Sequence, residues 1–274
     1  MTNKLLKNQR TNVYKADCEN CFGLCCVALP YAKSADFAVD KDGGTPCKNL
    51  DEHFRCRIHS DLRNKGFKGC TVYECFGAGQ QVSQNTFNGQ DWRKHPQIAD
   101  EMFNVFPKMQ QLFEMLYYLQ EGLNLEITQP LHNEILKVKE EVEALTELSP
   151  NSVLELDIPQ HRMKVSIVLE KISSIVRGNE KTQLKKTGNL FGANLKGKKL
   201  KGTNFRGSLL IATNLSNADL QNCDFLGADL RDADLSNANL SGSIFLTQAQ
   251  VNAAIGNKQT KLPQHLNIPQ HWLK

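Results

Sequence analysis

The sequence predicts an α+β, multi-domain chain. A cysteine-rich metal-binding domain fills residues 1–92, a helical segment 93–180, a short four-sided coil 188–246 and a helical cap 247–274. Three observations lead there. Eight of the nine cysteines crowd into Cys18–Cys75, apolar residues recur at helical spacing between Ile98 and Val176, and every fifth residue from Leu190 to Phe245 is Leu or Phe. A length of 274 residues allows two or three domains.

The cysteines come first in the chain. Their spacing runs Cys18-x2-Cys21-x3-Cys25-Cys26, then Cys47, Cys56, Cys70 and Cys75. Met1 to Arg10 lack the apolar core of a signal peptide and no long apolar run follows, so the chain is expected in the cytoplasm, without a membrane segment. Thiols stay reduced there, and clustered thiols then point to metal rather than disulfides. Thiolate is the soft ligand that zinc and iron–sulfur clusters select. Cys18-x2-Cys21 and Cys70-x4-Cys75 both have the short spacing of zinc knuckles. Eight thiolates fill two four-sulfur zinc sites, or hold an iron–sulfur cluster with ligands to spare. Adjacent Cys25 and Cys26 should leave the backbone in different directions, serving two metals, or one binding while the other packs. The competing readings are cysteines packed as small hydrophobes and a disulfide scaffold.

Other residues near the thiols carry less. His59, three residues after Cys56, and His53 are ligand candidates, but so many thiols leave no fourth ligand lacking, and His59 reads as polar or packing. Arg55, Arg57, Arg63, Lys65 and Lys68 form a basic loop that either offsets thiolate charge or is simply solvated. Phe76-Gly77-Ala78-Gly79-Gln80 lacks the third glycine and the Lys-Ser/Thr of a phosphate loop, and reads as the exit from the domain. No nucleophile elbow, zincin helix or kinase set is present, so no catalytic residue is nominated.

The opening Cys motif, with Pro46-Cys47-x2-Leu50, Cys56-Arg57-Ile58-His59 and Gly69-Cys70, resembles the zinc- or iron-chelating domain family named for its CxxCxxxCC signature, over residues 17–76. The resemblance implies a bound iron–sulfur cluster or zinc. It carries a ligand role to Cys18, Cys21, Cys25, Cys26, Cys47, Cys56 and Cys70, with Cys75 added on spacing alone.

In the helical segment, Ile98, Met102, Phe106, Met109, Leu112, Phe113, Leu116 and Leu123 follow a 3.6 period. Pro107 either kinks this helix or starts a second one. Leu131, Ile135, Val138, Val142 and Leu145 give a narrow seam for a helix near 131–148, ended by Ser149-Pro150-Asn151-Ser152. Pro159 suits the first turn of a third helix, with Val165, Val168, Leu169, Ile172 and Val176 inward and Arg177-Gly178-Asn179 closing it.

The five-residue period matches neither helix nor strand, so the coil has its own geometry. Phe205, Phe225 and Phe245 stand twenty residues apart. Three Phe placed at random in twelve slots would share such a column only about 2% of the time, which makes four pentads the natural turn. Three such coils stacked at about 4.8 Å give a block roughly 14 Å tall. Two residues before each centre the side chain is small, from Gly188 to Ser243, except at Lys198. A narrow interior accounts for that. Two residues after the centre stand Gly192, Gly197, Gly202, Gly207, Asn217, Asn222, Gly227, Asp232, Asn237 and Gly242, types that tolerate positive φ at the third position of a type II turn. One turn per pentad makes each pentad one side of a square. Asn or Asp fills nine of the twelve slots before the centre, where it can bond local backbone. Linkers do not space their apolar residues in this way.

Ala218-Asp219-Leu220 and Ala233-Asp234-Leu235 resemble the pentapeptide-repeat family, whose fold is a right-handed quadrilateral β-helix. Open coil ends expose strand edges and must be covered. The helix near 160–177 is placed to cover the first coil. At the other end Thr247 caps a short helix, Gln248–Ile255, stopped by Gly256, and Leu262, Leu266, Ile268 and Trp272 lie over the last coil.

One branch of that family imitates duplex DNA to protect a topoisomerase. Here the block is short against the roughly 34 Å of one duplex turn. Residues 188–246 carry six Lys/Arg and five Asp, where an imitator needs continuous negative charge. A net charge of +4 does not by itself imply a nucleic-acid partner. The leading expectation is a non-catalytic, cytosolic metal-binding protein whose coil displays flat sides to a protein partner. The alternatives are an iron–sulfur redox or modification enzyme and, last, the DNA mimic.

Overall fold

The computed structural model describes residues 14–178, 184 and 187–273; Met1 to Arg10 and Asn179, read above, lie outside the described residues. The chain divides into two compact units. One is Met1–Asn124 with His132–Val168, the other Leu125–Leu131 with Leu169–Lys274. The division falls inside the third helix expected from the sequence.

The first unit opens with a lobe of short elements: α1 (Leu24–Val27), α2 (Lys68–Thr71) and α3 (Ala78–Gln80), which runs into a π-helical stretch at Gln81–Thr86. Two antiparallel bridges, Tyr31↔Lys41 and Leu50↔Cys56, tie its loops. The large apolar side chains buried here are chiefly Leu24, Val27, Leu50, Leu62, Phe67, Phe76, Val82 and Phe87. So small a core needs further cross-links. Trp92 supplies one, donating its indole N–H to the Phe22 carbonyl at 2.8 Å and meeting Phe54 and Phe103 edge-on.

The lobe is followed by α4 (Ala99–Asn124), α5 (His132–Thr146), α6 (Pro150–Glu155) and α7 (Ile158–Arg177). α4 is one continuous helix through Pro107. An interior proline costs about 3 kcal/mol. The fully buried Met102, Val105, Met109, Leu112 and Leu119 hold the helix together in spite of it. Ser149-Pro150, read above as a stop, is also a start. The Ser149 hydroxyl accepts from the Ser152 N–H and Pro150 takes the first helical position of α6.

In the second unit, residues twenty apart pair in parallel along four columns: Asn189↔Leu209↔Asp229, Asn194↔Asn214↔Asp234, Lys199↔Asp219↔Asn239 and Asn204↔Asp224↔Ile244. Among the described residues no side of the coil contains a continuous strand; each pentad contributes one bridging residue because its turn consumes the others. Each bridge uses two bonds, as where Leu195 N–H donates to Asn214 O at 2.8 Å and Asn214 N–H returns to Ala193 O at 2.9 Å. Turns close by bonds such as Ala193 N–H to Leu190 O at 3.0 Å. All ten Gly, Asn and Asp named for the third turn position have positive φ, and so does Ala212, at 53°, which the sequence did not single out.

The small column has a second cause besides space. Thr213 Oγ1, Cys223 Sγ and Ser243 Oγ donate to the carbonyls of Leu190, Leu200 and Leu220 in the preceding coil, at 2.7, 3.1 and 2.7 Å. The nine Asn and Asp residues before the centres all accept the N–H two positions on, at 2.8 to 3.2 Å. Inside, Phe205, Phe225 and Phe245 are fully buried, and the rings of Phe205 and Phe225 stack 5.4 Å apart.

The cap helix α8 (Gln248–Ala253) starts with a capping box between Thr247 and Gln250. It is shorter than the Gln248–Ile255 expected, because Ile255 extends to bridge Asp234, and Lys261 then bridges Asn239. The tail thus continues two sides of the coil. Gly256 is not a helix stop: a Cβ there would stand 2.5 Å from the Trp272 ring, which seals the core and donates to Ala254 O at 3.0 Å. The carboxy-terminal half of α7 packs on the coil, with Glu170 paired to Arg206 at 2.7 Å and Ser173 beside buried Asp224. No helix of the described residues is long and apolar enough to cross a membrane.

Candidate metal centre

The eight amino-terminal cysteines are placed by turns that few residues other than glycine permit. Cys18 opens a 3-10 turn capped by Asp17, whose carboxylate accepts from the Glu19 N–H at 3.0 Å. Gly23, at φ 67°, redirects the chain into α1, which carries Cys25 and Cys26; a Cβ at Gly23 would stand 2.8 Å from Leu50. Cys47 is drawn in by its N–H bond to Cys26 O at 2.9 Å, Cys56 by the bridge to Leu50, and Cys70 by α2. Cys75 precedes Gly77, at φ 100°, where α3 begins.

The sulfurs of Cys25 and Cys26 are 3.9 Å apart rather than splayed. Among the described residues no three His, Cys, Asp or Glu side chains are arranged to hold a metal ion.

Backbone N–H groups point at the sulfurs: Gly23 and Leu24 donate to Cys21, Gly77 and Gly79 to Cys75, and Ile58 to Cys56. Burial raises the thiols of Cys18, Cys21, Cys56 and Cys75, and pushes Cys70 up to about 12. Their mutual hydrogen bond raises Cys25 and lowers Cys26. Any cation binding here must therefore displace protons.

Several residues at the site gave no signal in the sequence. Lys41 is buried and donates all three ammonium protons to the carbonyls of Val27, Asp42 and Thr45 at 2.9 to 3.0 Å, a fixed cation beside Cys26 and Cys47. The Tyr31 hydroxyl donates to Cys47 Sγ at 3.4 Å. Ser83, fully buried in the π-helical stretch, bonds Cys21 and accepts the Phe22 N–H. Gly79 is part of the wall rather than an exit: a Cβ there would stand 2.8 Å from Cys21 Sγ and 3.8 Å from Cys75 Sγ. Of the five basic residues expected nearby, Arg55 reaches the first turn, donating to Cys18 O and Glu19 O and facing the Cys18 thiol. His53 is exposed beside Glu52, and His59 is exposed in a 3-10 turn.

The model of the family "Pentapeptide repeats" matches residues 189–225 and 208–245, with eight copies of the repeat. Over 262 residues the chain is 63% identical to the "Uncharacterized protein YybG" of Bacillus subtilis (strain 168), covering 94% of both chains. With that identity across nearly the whole of each, this protein belongs to the same family as YybG, and its carboxy-terminal part consists of pentapeptide repeats.

Proposed function

We propose that this is a non-catalytic, cytoplasmic metal-binding protein with an interaction scaffold. Zinc or an iron–sulfur cluster, held by Cys18, Cys21, Cys25, Cys26, Cys47, Cys56, Cys70 and Cys75, organises the amino-terminal lobe. The repeats, wound as a right-handed quadrilateral β-helix, present flat sides to a protein partner. The supporting observation is that Cys21 and Cys75 lie together against Gly79 and Cys25 lies beside Cys26, with backbone N–H groups aimed at the sulfurs of Cys21, Cys56 and Cys75. Such a donor set fits thiophilic metals. A metal bound there supplies the cross-links that the lobe's small core lacks. The coil suits docking for a separate reason. Its outward Asn and Asp side chains are already fixed to backbone, so little side-chain freedom is lost when a partner lands.

The test is anaerobic purification of the full chain with metal and acid-labile sulfide analysis. Cys21→Ser is expected to lose metal and loosen the lobe, while Cys223→Ser, whose thiol sits in the coil interior, keeps full loading. Equal loss from both, or a folded protein without stoichiometric zinc or iron, would rule the metal reading out.

A further inference from the structure

The two ends of the coil differ. In the second coil the N–H groups of Leu209, Asn214 and Asp219 donate to the first coil at Gly188, Ala193 and Lys198, at 2.8 to 3.0 Å, and their carbonyls accept from Leu190, Leu195 and Leu200. The matching groups of Asn189, Asn194 and Lys199, one coil earlier, turn away from the stack and meet no backbone partner among the described residues. All three residues are exposed. At the far end the same kind of edge is covered: Ile255 bridges Asp234 and Lys261 bridges Asn239, so a loop continues two sides of the coil. An uncovered edge is a template for another chain.

Charge selects that chain. Residues 188–206 carry Lys196, Lys198, Lys199, Lys201 and Arg206 and no acid. Lys196, Lys198 and Lys199 are exposed, with no ion-pair partner among the described residues. The covered end shows the opposite arrangement. Its coil carries Asp229, Asp232 and Asp234, and the covering residues 255–262 carry Lys258 and Lys261 and no acid. A second copy fits poorly, because its first coil would set lysines on lysines and its last coil is already covered. Residues 1–13 also have the wrong sign, with Lys4, Lys7 and Arg10 and no acid. A nucleic acid fits no better. The carbonyls of Phe191 and Lys196 are open as well, so the edge offers more acceptors than donors, and phosphate oxygens have no proton to give.

Resting on the scaffold reading above and deepening it, we infer that the open edge of the first coil docks an acidic, extended peptide segment of a partner protein. The segment adds backbone bonds at Asn189, Asn194 and Lys199, as Ile255 and Lys261 do at the other end. Its carboxylates lie against Lys196, Lys198 and Lys199, and Phe191, 66% exposed, gives it an apolar seat. The lysines then do two things: they keep identical edges apart and they favour a negative partner.

The probe is a fluorescein-labelled peptide in which Glu alternates with Thr, titrated into the full chain and followed by anisotropy. It should bind, and Lys196→Glu/Lys199→Glu should weaken it at least about tenfold without moving the urea midpoint, since both side chains are exposed. The same peptide N-methylated at each Thr keeps its charge but loses backbone donors. It should bind the unaltered protein about tenfold more weakly. With the parent peptide bound, hydrogen exchange should slow at the amides of Asn189, Asn194 and Lys199. No binding, no effect of N-methylation, or equal binding of oligothymidylate or of the peptide with Lys in place of Glu would overturn the edge site. Exchange slowed instead on the sides, at Ser236 and Ser241, would overturn it and leave the scaffold reading standing. A peptide that binds without slowing any amide of residues 188–246 would defeat the scaffold reading itself.

Discussion

Truncating Phe225 to alanine tests the interior of the coil most directly. Its ring is fully buried at the middle of the phenylalanine column and stacks on Phe205 at 5.4 Å. Removing it forfeits about 2 kcal/mol of transfer free energy. It also leaves a cavity of roughly 100 Å³, which at about 24 cal/mol per Å³ adds about 2.4 kcal/mol if the coil does not collapse. The Phe225 pentad is pinned to the coils on both sides by backbone bonds, Phe205 N–H to Asp224 O at 2.8 Å and Phe225 N–H to Ile244 O at 3.1 Å, so little collapse is available. The expected loss is therefore about 3–5 kcal/mol. The chain has two tryptophans, and Trp272 is buried in the cap over the coil, so a Trp92→Phe background makes fluorescence report on this unit alone. Urea unfolding followed in that background should show the loss, while Phe191→Ala, at a ring 66% exposed, should change stability by less than about 0.5 kcal/mol. Equal, small effects from the two substitutions would refute the inward column.

Ala212→Gly should stabilise the coil, contrary to the usual direction: relief of about 1–2 kcal/mol at φ 53° outweighs the roughly 0.5–1 kcal/mol of added unfolded-state freedom. A lower denaturation midpoint than wild type would contradict that turn geometry. Burial raises the Asp224 carboxyl, and Ser173, Arg206 and Arg177 offset this only in part. The folded state then binds more protons than the unfolded state between the two pKa values, so wild-type stability falls as pH rises through the folded value. Asp224→Asn, which can keep the bond from Leu226 N–H at 2.8 Å, should gain over wild type as pH rises and not in acid; denaturation midpoints across pH with the opposite trend would reject this. Gly79→Ala places a methyl 2.8 Å from Cys21 Sγ and should weaken zinc binding about 10–100-fold in a chelator competition; unchanged affinity would put Cys21 outside any metal site.

The coil was legible because each pentad position meets one environment, so residue type maps directly onto role. The Leu and Phe centres, the positive-φ turns and the backbone-bonding Asn and Asp all follow from that mapping. Ala212 escaped because its neighbours, not its own chemistry, impose the turn. The thiol lobe was legible only in composition. Eight thiols combine in many ways, and spacing along the chain does not say which of them meet, as Cys21 and Cys75 do against Gly79. Lys41 was invisible because a surface lysine and a buried one look alike until three carbonyls close around the ammonium. Ser149-Pro150 was legible for one of its two roles: the helix before it ends as expected, and the same residues begin the next.

The side-chain bonds from Thr213, Cys223 and Ser243 all span 23 residues, while the bridges between coils, up to Ile244, span 20. The chain is therefore geared. Adding or deleting one residue between Gly192 and Gly242 rotates everything downstream off its tooth, turning a centre outward and a polar flank inward. Five residues advance the thread by a quarter turn and move a phenylalanine to another corner; only twenty restore every match. Such a coil can lengthen or shorten smoothly only in whole revolutions.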